Sequence, residues 1–391
     1  MTTPQQYDYD RIPFPILFLE ESEFEDTYGG TGGFVFFDAD LLKPKDRDSK
    51  TVIVFSHPIG GGAWLPLVTA LAQAGHHVIY SNGRYRGNDT ALIMEKCVVD
   101  LGACIRHAKE SLGYEKVILG GWSGGGSLSL YYQEQAEAPS VTATPAGDSP
   151  DLTAAGLIPA DGIMLLAAHV SRSHTLTEWM DASILDESQP EQRDPSLNLY
   201  DAANPNQPPY SQEFLDQYRE AQIARNRRIT KWVKEKLASL RAAGKSNHEF
   251  AFTVHGTMAD PRWLDPEVDP NQRKPNWCYL GVPEVVNDGP VGLARFCTLR
   301  SWLSQWSYDD SLADGVRCAN TVTVPAIVIG NLADDACTPS HTHRLYEAIK
   351  HEDKELHEID GATHYYLAQP DEMAIAIAHC HAWLKNHGFG N

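Results

Sequence analysis

Short runs of apolar, β-branched residues recur along the chain, and turn residues close each one. Residues 14–19 and 33–38 begin the series, and 51–56 (Thr-Val-Ile-Val-Phe-Ser), 77–80, 116–120 and 162–168 continue it. Two more, 322–330 and 355–359, lie near the C-terminal end. Between most of these runs the apolar spacing becomes that of a helix face: roughly 64–74, 91–112, 124–137, 340–350 and 371–386. Strands that are apolar throughout and alternate with helices predict a mostly parallel α/β sheet, covered by helices on both faces.

The alternation breaks after residue 168. From 171 to 317 the chain turns polar, helical and rich in tryptophan. One amphipathic stretch, 211–243, carries Phe214, Tyr218, Ile223, Ile229, Val233 and Leu237 on its apolar face. Its basic residues Arg225, Arg227, Arg228, Lys231 and Lys234 follow the acidic Glu213, Asp216 and Glu220, the pattern of a solvated face. The expected organisation is a core in two parts, 1–170 and 318–391, interrupted by a large, mainly helical insertion at 171–317.

Composition narrows the partners. The chain has 391 residues and a formal net charge of −20, a field that repels nucleic acid and anionic membrane surfaces. No apolar run approaches the length of a membrane span. The first ten residues have neither a basic region nor an apolar core of the kind that directs secretion, so a cytoplasmic location is expected. Seven widely spaced cysteines without a C-x-x-C pair fit free thiols better than disulfides or a zinc site. The sequence leaves self-association of the chain open.

Chemistry concentrates at residues 116–126, Lys-Val-Ile-Leu-Gly-Gly-Trp-Ser-Gly-Gly-Gly. A strand pattern enters Gly121-Trp122-Ser123-Gly124-Gly125 and a helical pattern leaves it: G-x-S-x-G in a strand, sharp turn, helix context. Small neighbours let the two arms of the turn pass closely, and the helix N-terminus favours negative charge developing at the serine.

At this point the chain resembles the α/β-hydrolase family. The resemblance covers about 50–170 and 318 to the end, and it implies a nucleophile, an acid and a histidine in that order. Ser123 takes the first role. The strand ending Ile327-Val328-Ile329-Gly330 leads into Asn331-Leu332-Ala333-Asp334-Asp335. Asp335 has the family's spacing to Pro339 and is the expected acid; Asp334, one residue off, is the alternative. His364, within Gly361-Ala362-Thr363-His364, is the expected base. The loop His57-Pro58-Ile59-Gly60 resembles the family's oxyanion loop with proline in place of glycine. It implies backbone donors at Ile59 and Gly124, with a shift to Gly60 as an alternative.

The segment Ser81-Asn82-Gly83-Arg84-Tyr85-Arg86-Gly87 is expected to brace that loop. The family also inserts a cap after the sixth strand, and 171–317 fits that place. Trp122, Trp302, Trp306 and Tyr308 are candidate substrate contacts; a packing role in the cap's own core is the competing reading for the last three.

The expected activity is hydrolysis of a carboxylic ester or lactone of a small, largely apolar molecule through an acyl-enzyme, without metal or organic cofactor. Acyl transfer, amide or peptide cleavage and carbon–carbon bond hydrolysis use the same three residues and remain alternatives. A non-catalytic ligand-binding protein on the same scaffold is the remote one.

Overall fold

The computed structural model describes residues 6–20 and 33–390. Its strands, in chain order, are β1 (Tyr9–Leu19), β2 (Phe34–Pro44), β3 (Thr51–Ser56), β4 (Val78–Ser81), β5 (Lys116–Ser123), β6 (Gly162–Ala168), β7 (Ala251–Thr253), β8 (Phe296–Thr298), β9 (Ala326–Asn331) and β10 (Lys354–Ile359). Eight of them form one sheet in the order β1-β2-β4-β3-β5-β6-β9-β10, and β7 pairs with β8 alone. Strand β2 runs antiparallel to both its neighbours, and every pairing from β4 to β10 is parallel. This is the α/β architecture that the hydrophobic pattern predicts. The run at 322–330 forms a ladder only from Ala326 onward, because Pro325 has no amide hydrogen to give.

The helices are α1 (Pro66–Gln73), α2 (Met94–Glu110), α3 (Gly125–Glu137), α4 (Arg172–Trp179), α5 (Gln212–Ala242), α6 (Pro261–Leu264), α7 (Pro283–Asp288), α8 (Leu299–Ser301), α9 (Gly315–Ala319), α10 (Pro339–Ala348) and α11 (Pro370–Asn386). Successive residues of the central strands serve opposite faces of the sheet. Val52, Val54, Val117, Leu119, Ile163 and Leu165 pack with α2, α3 and α10. Their neighbours Ile53, Phe55, Ile118, Met164 and Leu166 pack with α1 and α11. The two-sided burial explains why these strands read as unbroken apolar runs.

From β3 the chain first moves outward to β4 and then returns to the other side at β5. Such a reversal opens a crevice at the carboxyl ends of the strands, where ligands of open α/β sheets bind.

Between β6 and β9 the chain leaves the sheet. This insertion has its own apolar cluster, in which Trp179, Trp263, Trp302 and Trp306 meet Ile229, Val233 and Leu237 of α5. Trp302 and Trp306 begin and end a π-helical turn and stack face to face, with ring centroids 5.1 Å apart. Each indole N–H has a partner, Thr230 Oγ1 at 2.8 Å for Trp302 and the Ala294 carbonyl at 3.1 Å for Trp306. Truncating Trp302 to alanine leaves a large cavity and removes one of the hydrogen bonds of Thr230. The expected loss is about 3–5 kcal/mol of stability, read as a lower denaturant midpoint. An unchanged midpoint would show that the insertion does not rest on this stack.

All seven cysteines are free and buried. Among the described residues, no helix is long and apolar enough to cross a membrane.

Candidate active site

Strand β5 ends at Ser123, and the ladder to β6 slips one residue there: Trp122 faces Leu166 while Ser123 faces Ala168. A bulge of this kind re-aims a side chain. Ser123 itself has φ +54°, a left-handed conformation that a non-glycine residue adopts only at some cost. The sharp turn requires small residues on its far side. A β-carbon at position 125 would stand 2.3 Å from the Ser56 carbonyl oxygen, so only glycine fits there. Helix α3 starts at that glycine and directs its N-terminus at the serine.

His364 lies in the loop after β10. Its Nε2 is 3.1 Å from Ser123 Oγ, and its Nδ1 is 2.8 Å from Asp334 Oδ2. Ser123, His364 and Asp334 are all buried. The other carboxylate oxygen, Asp334 Oδ1, accepts the amides of Ala336 and Cys337, both at 2.7 Å. A carboxylate held this way accepts only, so the His364 proton sits on Nδ1 and Nε2 is left to face the serine hydroxyl.

Asp335, the acid expected from the spacing to Pro339, makes no hydrogen bond to His364; that expectation is corrected to Asp334. The reason is local. The Asp334 amide closes a turn onto the Asn331 carbonyl, and the Asp334 carboxylate then caps the two amides after it. The turn points residue 334 inward at the histidine. At residue 335 it leaves the backbone carbonyl to accept the Tyr279 amide at 3.1 Å. Burial, and then the neighbouring Asp334 charge, push the Asp335 carboxyl up to about 6.

The expected oxyanion loop also borders Ser123, with Ile59, Gly60, Gly61 and Gly62 in the wall of the same pocket. The Ile59 amide donates to its own loop's His57 Nδ1 at 3.3 Å, and the Gly60 amide donates to the His57 carbonyl at 2.8 Å. The second bond is the better made, so Gly60 is the less available donor. Burial first, then Arg172 and His364, lower His57 to about 3, which keeps its ring neutral and able to accept. Gly124, the other expected donor, follows Ser123 at the start of α3. The Arg- and Gly-rich segment after β4 braces this loop. Asn82 Oδ1 accepts the Gly61 amide at 2.9 Å, and the Gly87 amide donates to the Ile59 carbonyl at 2.9 Å. Arg84 is anchored below by Asp100, 2.7 Å from its Nη2.

The pocket above Ser123 is small, about 200 Å³. Trp122 is in its wall, with its ring 4.7 Å from that of His364 and its indole N–H on the His364 carbonyl at 3.2 Å. Trp302 and Trp306 are not; they form the core of the insertion. Tyr308 is elsewhere too, tilted against His174 at 4.7 Å and below Arg227. These three are therefore packing residues rather than pocket walls, because their ring surfaces are already taken by neighbours.

The walls that the sequence pattern missed are Tyr279, Leu293, Ala336 and Tyr365; His169, just after β6 where the chain hands over to the insertion, is also in the wall. Tyr365 adjoins His364 in sequence and could have been found by adjacency. Tyr279 and Leu293 sit in irregular chain without periodicity. A larger groove, about 830 Å³, lies between α5 and β7, lined by Trp232, Phe250 and Phe252. It contains none of Ser123, His364 or Asp334, so size does not mark the site here.

No protein-family model matches the chain, and no curated relative does. Solved structures do match. A hypothetical protein of Pseudomonas aeruginosa aligns over 98% of this chain and 95% of its own, with TM-score 0.52 and 11% identity. The α/β hydrolase GrgF of a Penicillium species aligns over 96% of this chain and 99% of its own, with TM-score 0.51 and 12% identity. With the sheet order above, these likenesses place the chain in the α/β-hydrolase fold.

Proposed function

We propose that this protein is a serine hydrolase that cleaves a carboxylic ester or lactone of a small, largely apolar molecule. The carrying observation is the relay Asp334–His364–Ser123, with contacts of 2.8 and 3.1 Å in one buried line. In this reading His364 Nε2 takes the hydroxyl proton while Ser123 Oγ attacks the carbonyl carbon. Asp334 holds the imidazole tautomer and stabilises the cation that forms. The proton then passes to the leaving alcohol, and an acyl group remains on Ser123. Water activated by the same histidine releases the acid.

The tetrahedral oxyanion is assigned to the amides of Gly124 and Ile59. Ile59 exchanges its long 3.3 Å bond to His57 for a charged acceptor, worth a few kcal/mol to the transition state. The 200 Å³ pocket with walls from Trp122, Leu293, Tyr279 and Tyr365 favours a compact, apolar acyl or alkyl group. The insertion, acting as a cap, contributes Tyr279 and Leu293 to that selection.

A fluorophosphonate probe tests the reading directly. It is expected to attach to Ser123 in the folded protein and not in denatured protein, with the modified peptide identified by mass spectrometry. No attachment, or attachment elsewhere, would overturn it.

A further inference from the structure

Three side chains from two segments come together: His169 after β6, and Cys337 and His341, four residues apart where the acid loop enters α10. All three are buried, and one ligand atom of each lies within 4.8 Å of the others. We propose that His169, Cys337 and His341 bind a borderline-soft divalent cation, zinc by preference, directly beside Ser123.

Two imidazoles and a thiolate are the donor set of zinc rather than of magnesium or calcium. A second observation points the same way. His341 Nδ1 is buried and has no hydrogen-bond partner, a costly state for a ring nitrogen. Its other nitrogen, Nε2, lies 3.4 Å from Arg262 Nη1 and 3.6 Å from Glu178 Oε2. Arg262 only donates, so Nε2 accepts from it and the ring proton rests on Nδ1 without an acceptor; a cation at Nδ1 displaces that proton and leaves Nε2 to carry one towards Glu178. A carboxylate behind a histidine is the arrangement that orients such ligands at metal centres. The Arg262 charge is already matched by Asp260 and Glu178, 2.6 Å and a still closer contact away.

Access is through the Ser123 pocket, whose wall includes His169. Ligand atoms around tetrahedral zinc stand roughly 3.5 Å apart, so modest side-chain rotation closes the set. The Cys337 thiol gives its proton to solvent as the sulfur–metal bond forms. Affinity therefore rises with pH. Cys337 and His341 stand four residues apart at the start of α10, and only His169 comes from a distant segment, which sequence spacing does not register.

Cobalt(II) is the probe, titrated into the full-length protein. The expected result is one bound ion per chain with a thiolate-to-cobalt charge-transfer band in the near ultraviolet, displaced by zinc. Cys337→Ala removes the band. Glu178→Gln keeps it and weakens binding roughly tenfold or more. His341→Gln serves as a second variant should the cysteine change impair folding, and it too abolishes stoichiometric binding. No band in the wild-type protein, or a band that survives both substitutions, would overturn the proposal. The readout is binding, so a chain without esterase activity could still pass or fail it.

Discussion

Ester turnover is expected to fall about a millionfold in Ser123→Ala, to the level that binding and oxyanion donors alone sustain. The size follows from the geometry. His364 Nε2 faces Ser123 Oγ, so removing that oxygen leaves the base without a proton to take. Alanine accepts the φ of +54° at about the cost that serine does, so the fold should survive. The measurement is single-turnover release from a small chromogenic ester, beside a denaturation curve. Activity within a hundredfold of wild type in a folded variant would show that another group is the nucleophile.

The second large effect separates two adjacent aspartates. Asp334→Asn is expected to lower turnover about ten-thousandfold, because an amide facing His364 Nδ1 favours the wrong tautomer. It also replaces a carboxylate that holds two backbone amides at 2.7 Å. Asp335→Asn should cost less than about tenfold, since that side chain makes no hydrogen bond to His364 and does not set its tautomer. Its loss removes a carboxyl that burial, and then the Asp334 charge, push up to about 6 beside the relay, so the acid limb of the pH–rate profile should simplify. Equal losses, or the reverse ranking, would reassign the acid.

The two aspartates also show where sequence reading stops. The sheet, its covering helices and Ser123 were legible because each leaves a periodic or glycine-rich trace. Runs such as 51–56 and 162–168 became strands with those bounds, since both faces of each strand are buried. His364 was legible from its place after the last strand. The choice between Asp334 and Asp335 was not, because a turn closed by the Asn331 carbonyl decides it, and spacing to a proline does not register such a turn. Trp302 and Trp306 are candidates for the substrate from their aromatic character and their shared helical face beside the return to the core. Sequence cannot tell a tryptophan facing a ligand from one stacked on its neighbour at 5.1 Å. Tyr279 and Leu293 were invisible for the opposite reason: they reach the pocket from chain with no repeating pattern.

The roof residue Tyr279 is tied through its own amide to the Asp335 carbonyl, and Asn271 and Gln272 bond the carbonyls of Asp334 and Leu332. The segment that gives the pocket its Tyr279 wall is thus riveted to the loop whose Asp334 meets His364. A drifting sequence cannot reshape this roof for a bulkier guest without disturbing its own catalytic timing.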